Sequence, residues 1–179
     1  MNSAEILTDA FDRIRGVVHD AVDGLDEDAL NHRLDPGANT IAWLVWHLTR
    51  VQDEHLAELQ HTEALWTGRG WYERFALPID RNATGYGDTP AEVPLISAPP
   101  ELLIGYHDAV HAQTVRFLAA LQDRDLDAVV DTNWDPPVTM GVRLVSVIAD
   151  DLQHAGQAAF VRGILSRTST GHTNPATAG

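Results

Sequence analysis

Apolar residues recur at three- and four-residue steps in four stretches of this chain, the spacing of helices that bury one face. The first stretch runs from about Ser3 to Val22, with Leu7, Phe11, Ile14, Val18 and Ala21 along one line. Ser3 is placed to cap it, and Glu5 falls in the first turn, where negative charge suits the helix dipole. The turn D-P-G-A-N (Asp35–Asn39) then offers Asn39 or Thr40 as the cap of a second helix. That helix is predicted over about Thr40 to Leu65, through Leu44, Leu48, Val51, His55 and Leu59, with His47 beside the line and grouped with Trp43 and Val51.

Pro99-Pro100 suits the first turn of a third helix. It extends to about Leu121 through Leu102, Tyr106, Ala109, Val110, Phe117 and Leu118. The fourth, about Gly141 to Leu165, is apolar on two sides. One line holds Val145, Ile148, Leu152, Ala155 and Ala159; on the other, Val147, Ala158, Val161 and Leu165 flank Asp150 and His154. A helix apolar on opposite sides is buried on both, here against a bundle core and against either another packed element or a second subunit, which would make a homodimer.

No strand-like alternation lasts beyond a few residues; Val138–Met140 reads as a short extended piece. Trp66–Ala98 is a Gly- and Pro-rich connection longer than the roughly 12–15 residues usual for a structureless loop. It can carry the chain the length of a bundle and leave the second and third helices parallel. Trp66, Trp71 and Trp134 fall in the two long links, where they either wall a pocket or anchor the loops to the core. The segment from Ser166 to Gly179 has almost no apolar residues and is expected to be a disordered tail.

Composition narrows the function classes. The 179 residues make a single-domain size, able to bury a substantial core. Twenty-six acidic against 12 basic residues give a formal charge of −14, which repels phosphate backbones and anionic lipid and excludes nucleic acid and membrane as expected partners. The N-terminus has no basic region followed by an apolar run, so a cytoplasmic location is the default expectation. There is no cysteine. Any thiol chemistry therefore needs a thiol from a cofactor or substrate, and any metal must be held by His, Asp or Glu.

Those residue types converge in the segment V-I-A-D-D-L-Q-H-A-G-Q (Val147–Gln157). In a helix Asp150 and His154 share a face, with Cβ atoms roughly 5–6 Å apart. His47, inside the apolar run W-L-V-W-H-L, supplies a third ligand from another helix. Two histidines and a carboxylate make a three-ligand metal site with open positions, suited to chemistry more than to bracing. Spacing alone leaves an equal alternative, a buried Asp–His hydrogen bond without metal. His107 and His111, H-D-A-V-H, repeat the four-residue spacing, but the apolar line of their helix places the pair toward solvent. His19, His32, His55, His61 and His172 have no ligand-like spacing. No phosphate loop, dinucleotide fingerprint, nucleophile elbow or H-E-x-x-H is present.

The motifs N-T-I-A-W-L-V-W-H-L-T-R (Asn39–Arg50), W-D-P-P-V-T-M-G-V-R (Trp134–Arg143) and D-D-L-Q-H-A-G-Q-A-A-F-V-R-G (Asp150–Gly163) resemble the DinB-like superfamily. Within it, the chain is most similar to the branch holding the metal-binding domain of mycothiol-dependent maleylpyruvate isomerase. The resemblance covers about Ala4 to Leu165. It implies an all-α four-helix bundle over 1–165 with a long crossover between the second and third helices, and a metal on His47, Asp150 and His154, with Asp151 as fallback ligand. Many DinB-like proteins have histidine where this chain has Asp150; the carboxylate fits the mycothiol branch. Maleylpyruvate isomerases carry a further C-terminal domain where this chain has a polar tail, so that reaction is not expected. The implied activity is a divalent-metal enzyme of the thiol S-transferase or isomerase type. Zn²⁺ (with Ni²⁺ or Fe²⁺ as alternatives) would activate a low-molecular-weight thiol such as mycothiol, or water, toward a small-molecule substrate. The rival reading is a non-catalytic metal- or ligand-binding bundle that dimerises.

Overall fold

The structure, a computed structural model, describes residues 1–170. It is all-α: four long helices, α1 (Ser3–Val22), α3 (Ile41–Gln60), α6 (Pro100–Ala120) and α7 (Met140–Thr170), form a bundle of the DinB-like kind. Short helices α2 (Glu27–Leu30), α4 (Leu65–Gly68) and α5 (Trp71–Phe75) lie in the connections. Strands β1 (Val129–Asp131) and β2 (Val138–Thr139) pair antiparallel just before α7, so the extended piece expected at Val138 exists.

Each long helix starts for a local reason. Asn2, not Ser3, caps α1: its Oδ1 accepts from the Glu5 amide at 2.8 Å while Glu5 accepts from the Asn2 amide at 2.9 Å. Such a capping box is worth about 1 kcal/mol. Thr40 caps α3 through the Trp43 amide. That helix stops at Gln60, short of the expected Leu65, because His61 turns into the left-handed region at φ 52°. Past that break the buried Asp53 carboxylate accepts from the amides of Leu65 and Trp66 and starts α4.

Helices α6 and α7 each pack on both α1 and α3. The pairs Asp12–His111 and His19–Asp108 set α1 antiparallel to α6. Thr49–His107 and Gln52–Thr114 run in the same sense along α3 and α6, so those two are parallel, as the long crossover requires. Core side chains such as Phe11, Ile14, Leu44, Leu48, Val110, Leu144 and Val147 are fully removed from water, which is the main stabilising term.

The crossover is ordered by aromatic packing. Trp66 is wholly buried, 5.2 Å from Phe75 and 5.4 Å from Tyr106, and its indole N–H donates to the Arg81 carbonyl. The buried Arg50 lies 5.1 Å over the Trp66 ring and donates to the Ala83 carbonyl. Tyr106 donates to Asp53 at 2.7 Å. Trp66 and Trp71, the latter 5.4 Å from Tyr106, are thus anchors of the loop, and Trp66 and Arg50 hold residues 81–83 over one face of α3.

Helix α7 departs from the expected pattern. Its buried face is Leu144, Val147, Asp151, Ala155, Ala158 and Val161, whereas Val145 and Leu152, expected in an apolar line, are 60% and 46% exposed. Val142 and Phe160 are exposed with them, so the second apolar side of α7 has no partner within the described chain. The helix also runs past Leu165 to Thr170; the rest of the expected tail, 171–179, lies outside the described residues. No described helix is long and apolar enough to cross a membrane.

Candidate metal centre

Asp150 and His154 stand on successive turns of α7, and His47 meets them from α3. One ligand atom from each lies within 4.8 Å of the other two. The two imidazoles pack edge to face with centroids 4.8 Å apart. A tetrahedral Zn²⁺ with bonds of about 2.0–2.1 Å spaces its ligands roughly 3.3 Å apart, so closing the cluster on a cation takes a shift of about 1 Å.

The hydrogen bonds around the rings fix which nitrogens face the cluster. His47 Nδ1 lies 2.5 Å from the Thr84 carbonyl, which can only accept, so Nδ1 carries the proton and Nε2 presents a lone pair. His154 Nδ1 meets the Gln157 side-chain oxygen at 3.1 Å, which likewise leaves Nε2 free. An imidazole held by its outer nitrogen is the usual support of a metal-ligating histidine. Burial pushes the His47 pKa down, so it is neutral at pH 7, the form a metal needs.

Asp150 decides between the two sequence-level readings. Its Oδ1 is 3.7 Å from His154 Nε2, beyond hydrogen-bond range, and its Oδ2 is buried with no protein partner. The metal-free Asp–His hydrogen bond therefore does not form. A buried carboxylate oxygen without a donor is costly, and a cation bound among the three groups would answer it. Donor set, tautomers and orphaned oxygen all fit a divalent metal.

Asp151, the fallback ligand, is not in this cluster. One residue round the helix turns it about 100° away, and it is completely buried with both oxygens unpartnered. Burial, reinforced by the neighbouring Asp150 charge, pushes its pKa well above the usual carboxylate range.

The crossover loop completes the setting, and this part had no sequence signal beyond the run T-G-Y-G-D (Thr84–Asp88). Trp43 stacks on His47 at 4.6 Å and donates its indole N–H to Asp88 at 2.9 Å. Gly85 sits so close that a Cβ on it would lie 2.8 Å from His47 Nδ1, and its φ of +86° already disfavours a side chain. Only glycine lets the Thr84 carbonyl reach the imidazole there.

The second histidine pair is split by the fold. His107 is buried, not solvated as its helix pattern predicted: Nδ1 meets Thr49 at 3.1 Å and Nε2 has no hydrogen-bond partner. His111 points outward to Asp12 at 2.8 Å. Among the described residues the only group of three that could hold a metal is His47, Asp150 and His154; His172 lies outside them.

Beside the triad a chamber of about 490 Å³ opens between α3, α7 and the two links. His47 and Asp150 form its inner end, and Tyr86 and Trp134 stand at its mouth, 93% and 66% exposed. Trp134 thus walls a pocket, whereas Trp66 and Trp71 anchor the loop.

Comparison with known proteins agrees with this architecture. The family model for Mycothiol-S-transferase matches residues 6–166. A solved structure of a conserved protein from Enterococcus faecalis is 32% identical, with a TM-score of 0.85 over 90% of this chain and 96% of that one. No curated protein matches the sequence.

Proposed function

We propose a function from an established premise: the chain belongs to the mycothiol-S-transferase family, a DinB-like family. It is a divalent-metal-dependent S-transferase that joins a low-molecular-weight thiol, of which mycothiol is the first choice, to a small electrophile. The orphaned Asp150 oxygen between two histidines that both present Nε2 is the observation that carries the reading. Zn²⁺ fits a His₂Asp set with an open position, with Ni²⁺ or Fe²⁺ as alternatives.

A bound metal would lower the pKa of a coordinated thiol and keep it as thiolate near neutral pH. The chain itself contains no thiol. His47 and His154 would hold such a cation through Nε2, because Thr84 and Gln157 occupy their outer nitrogens. The crossover loop covers His47 from water, and the adjacent chamber positions the second substrate against the sulfur. In the transfer the S–H proton leaves to solvent, an S–C bond forms, and the bond to the leaving group breaks, the pair departing with that group. A cytoplasmic setting suits this chemistry, since thiols are kept reduced there.

The deciding experiment combines metal analysis of purified protein with monochlorobimane conjugation across a panel of thiols. About one metal per chain and conjugation with one preferred thiol are expected. Absence of stoichiometric metal, with unchanged stability in His154→Ala, would sink the reading. The exposed apolar residues of α7 favour a further element, a homodimer. Val142, Val145, Leu152 and Phe160 fall at three-, seven- and eight-residue steps along one side of the helix, a seam fit for a second helix. Sedimentation should show a dimer that Leu152→Glu converts to monomer; a wild-type monomer would refute it.

A further inference from the structure

We propose that the chamber beside the triad is a subsite for an uncharged, planar electrophile, and that it rejects substrates carrying a carboxylate. The inference rests on the metal-and-thiol reading for the word electrophile. The binding preference itself follows from the chamber's own walls.

The first argument is the charge inside. Its lining contains two carboxylates, Asp150 and Glu54, and no lysine or arginine. The nearby guanidinium groups each face a carboxylate, and the nitrogens they leave without a hydrogen-bond partner, Arg50 Nη1 and Arg143 Nε, are sealed from solvent. Arg50 is completely buried, donating to Glu54 at 2.6 Å and to the Ala83 carbonyl, with Asp53 4.0 Å away. Arg143, near enough to His55 to act on its pKa, donates to Asp131 at 2.8 Å. Burial pushes the pKa of His55 down, with Arg143 adding to the effect, so that ring brings no positive charge at neutral pH. With Glu54 set against Arg50, the charge left over on the chamber's own side chains is that of the Asp150 carboxylate. A carboxylate entering here would lose its water and meet no counter-charge, an arrangement that excludes it.

The second argument is the shape and chemistry of the mouth. Tyr86 and Trp134 come from two different links yet border one opening, and both expose their rings to solvent. Aromatic faces recruit flat apolar or π-bearing groups. Trp43, by contrast, is stacked on His47, and Trp66 is sealed in the loop core. Val51 and Val147 supply the apolar floor, and Ser146 is the sole uncharged hydroxyl there from α7. A flat neutral molecule is the occupant these surfaces match.

The test separates this inference from the transferase reading by using unreactive ligands and no thiol. Binding of 1,3-dinitrobenzene and 3,5-dinitrobenzoate is followed by quenching of tryptophan fluorescence in chelator-stripped protein, where no open metal position can capture the carboxylate and the chamber's own side chains decide. Salt at about 0.5 M shortens the Debye length to about 4 Å, so the overall negative charge of the protein is screened and the local walls decide. The neutral compound should bind at least about tenfold more tightly. Ser146→Lys, which places a cation on the chamber wall, should bring the two to within about threefold by strengthening the benzoate alone. Trp134→Ala should weaken the neutral compound about fivefold or more, with helicity unchanged. Equal or tighter binding of the benzoate to wild type, indifference to both substitutions, or no binding of the neutral compound would each overturn the proposal. A protein that lacks thiol activity yet shows the preference would refute the transferase reading and leave this one standing.

Discussion

Two pairs of side chains in this protein share one sequence spacing and meet opposite fates. Asp150 and His154 lie four apart on α7; His107 and His111 lie four apart on α6. In the first pair both residues converge on His47 of α3 to within 4.8 Å. In the second, one ring turns into the core against Thr49 and the other outward to Asp12. Spacing on one helix brings two ligands to one side, but a site requires that a facing element supply a third and orient it. For the α7 pair, α3 supplies His47 and the crossover loop orients it through the Thr84 carbonyl. For the α6 pair, what the facing helices offer is a hydroxyl and a separate carboxylate.

The comparison breaks most sharply on metal content. His154→Ala should abolish stoichiometric metal in purified protein, because two remaining ligands on two helices do not hold a divalent cation at submicromolar levels. His107→Leu should leave the metal content unchanged. Elemental analysis of both variants checks this, and metal loss in His107→Leu would erase the distinction.

The second difference is in pH dependence. Burial, with the nearby His111 adding to it, lowers the pKa of His107 from 6.5 to about 3. Between those values the unfolded chain takes up a proton that the folded chain refuses, so folding stability falls as pH drops through the window. It is fully present above pH 6.5. The loss reaches, as an upper bound, about 4–5 kcal/mol by pH 3. In the metal-free protein, His107→Leu should flatten the slope of urea-unfolding stability between pH 6 and 4. An unchanged slope would place another group behind it.

Much of this contrast was legible in the sequence, and the parts that were not share a cause. The span of α1, the Thr40 cap, the long crossover and the membership of the triad follow from periodicity, turn chemistry and motif register. The misplacement of His107 shows where periodicity fails. The buried face of α6 is Leu103, Tyr106, His107, Val110, Thr114 and Leu118. Two of these are polar, and they belong inside only because Thr49 and Gln52 of α3 meet them. A pattern read along one helix cannot see a partner on another. The same holds for Asp53, which ends the prediction for α3 early by capping α4, and for Val145 and Leu152, apolar residues that the single chain leaves uncovered. Thr84, Gly85 and Asp88 were invisible as site residues because their placement depends on the packing of Trp66 and Arg50 elsewhere in the loop.

That dependence makes Gly85 a sharper probe of the loop's role than any ligand. Gly85→Ala adds a methyl group that would sit 2.8 Å from His47 Nδ1 at a φ of +86°. The loop must lift, and the Thr84 carbonyl with it. Losing the outer hydrogen bond of a metal-ligating histidine typically costs about 10–100-fold in metal affinity. Competition with a chromogenic chelator should show that loss while far-ultraviolet circular dichroism stays at the wild-type level. Unaltered affinity would mean that α3 alone orients His47.

The smallest effect isolates the other half of the comparison. Thr49 donates to the Val45 carbonyl at 2.7 Å and faces His107 Nδ1 at 3.1 Å, both fully inside the bundle. Since Thr49 has one proton and gives it to Val45, His107 must donate from Nδ1, and its Nε2 is the unprotonated, unpartnered atom. Thr49→Val keeps the shape and deletes the acceptor, leaving a buried imidazole N–H with nothing to bind. The cost should be about 1–3 kcal/mol of folding stability, with metal affinity untouched, measured by urea unfolding and chelator competition on the same sample. If instead metal affinity falls with stability, the polar layer around His107 is mechanically continuous with the triad across α3, and the two pairs are not independent.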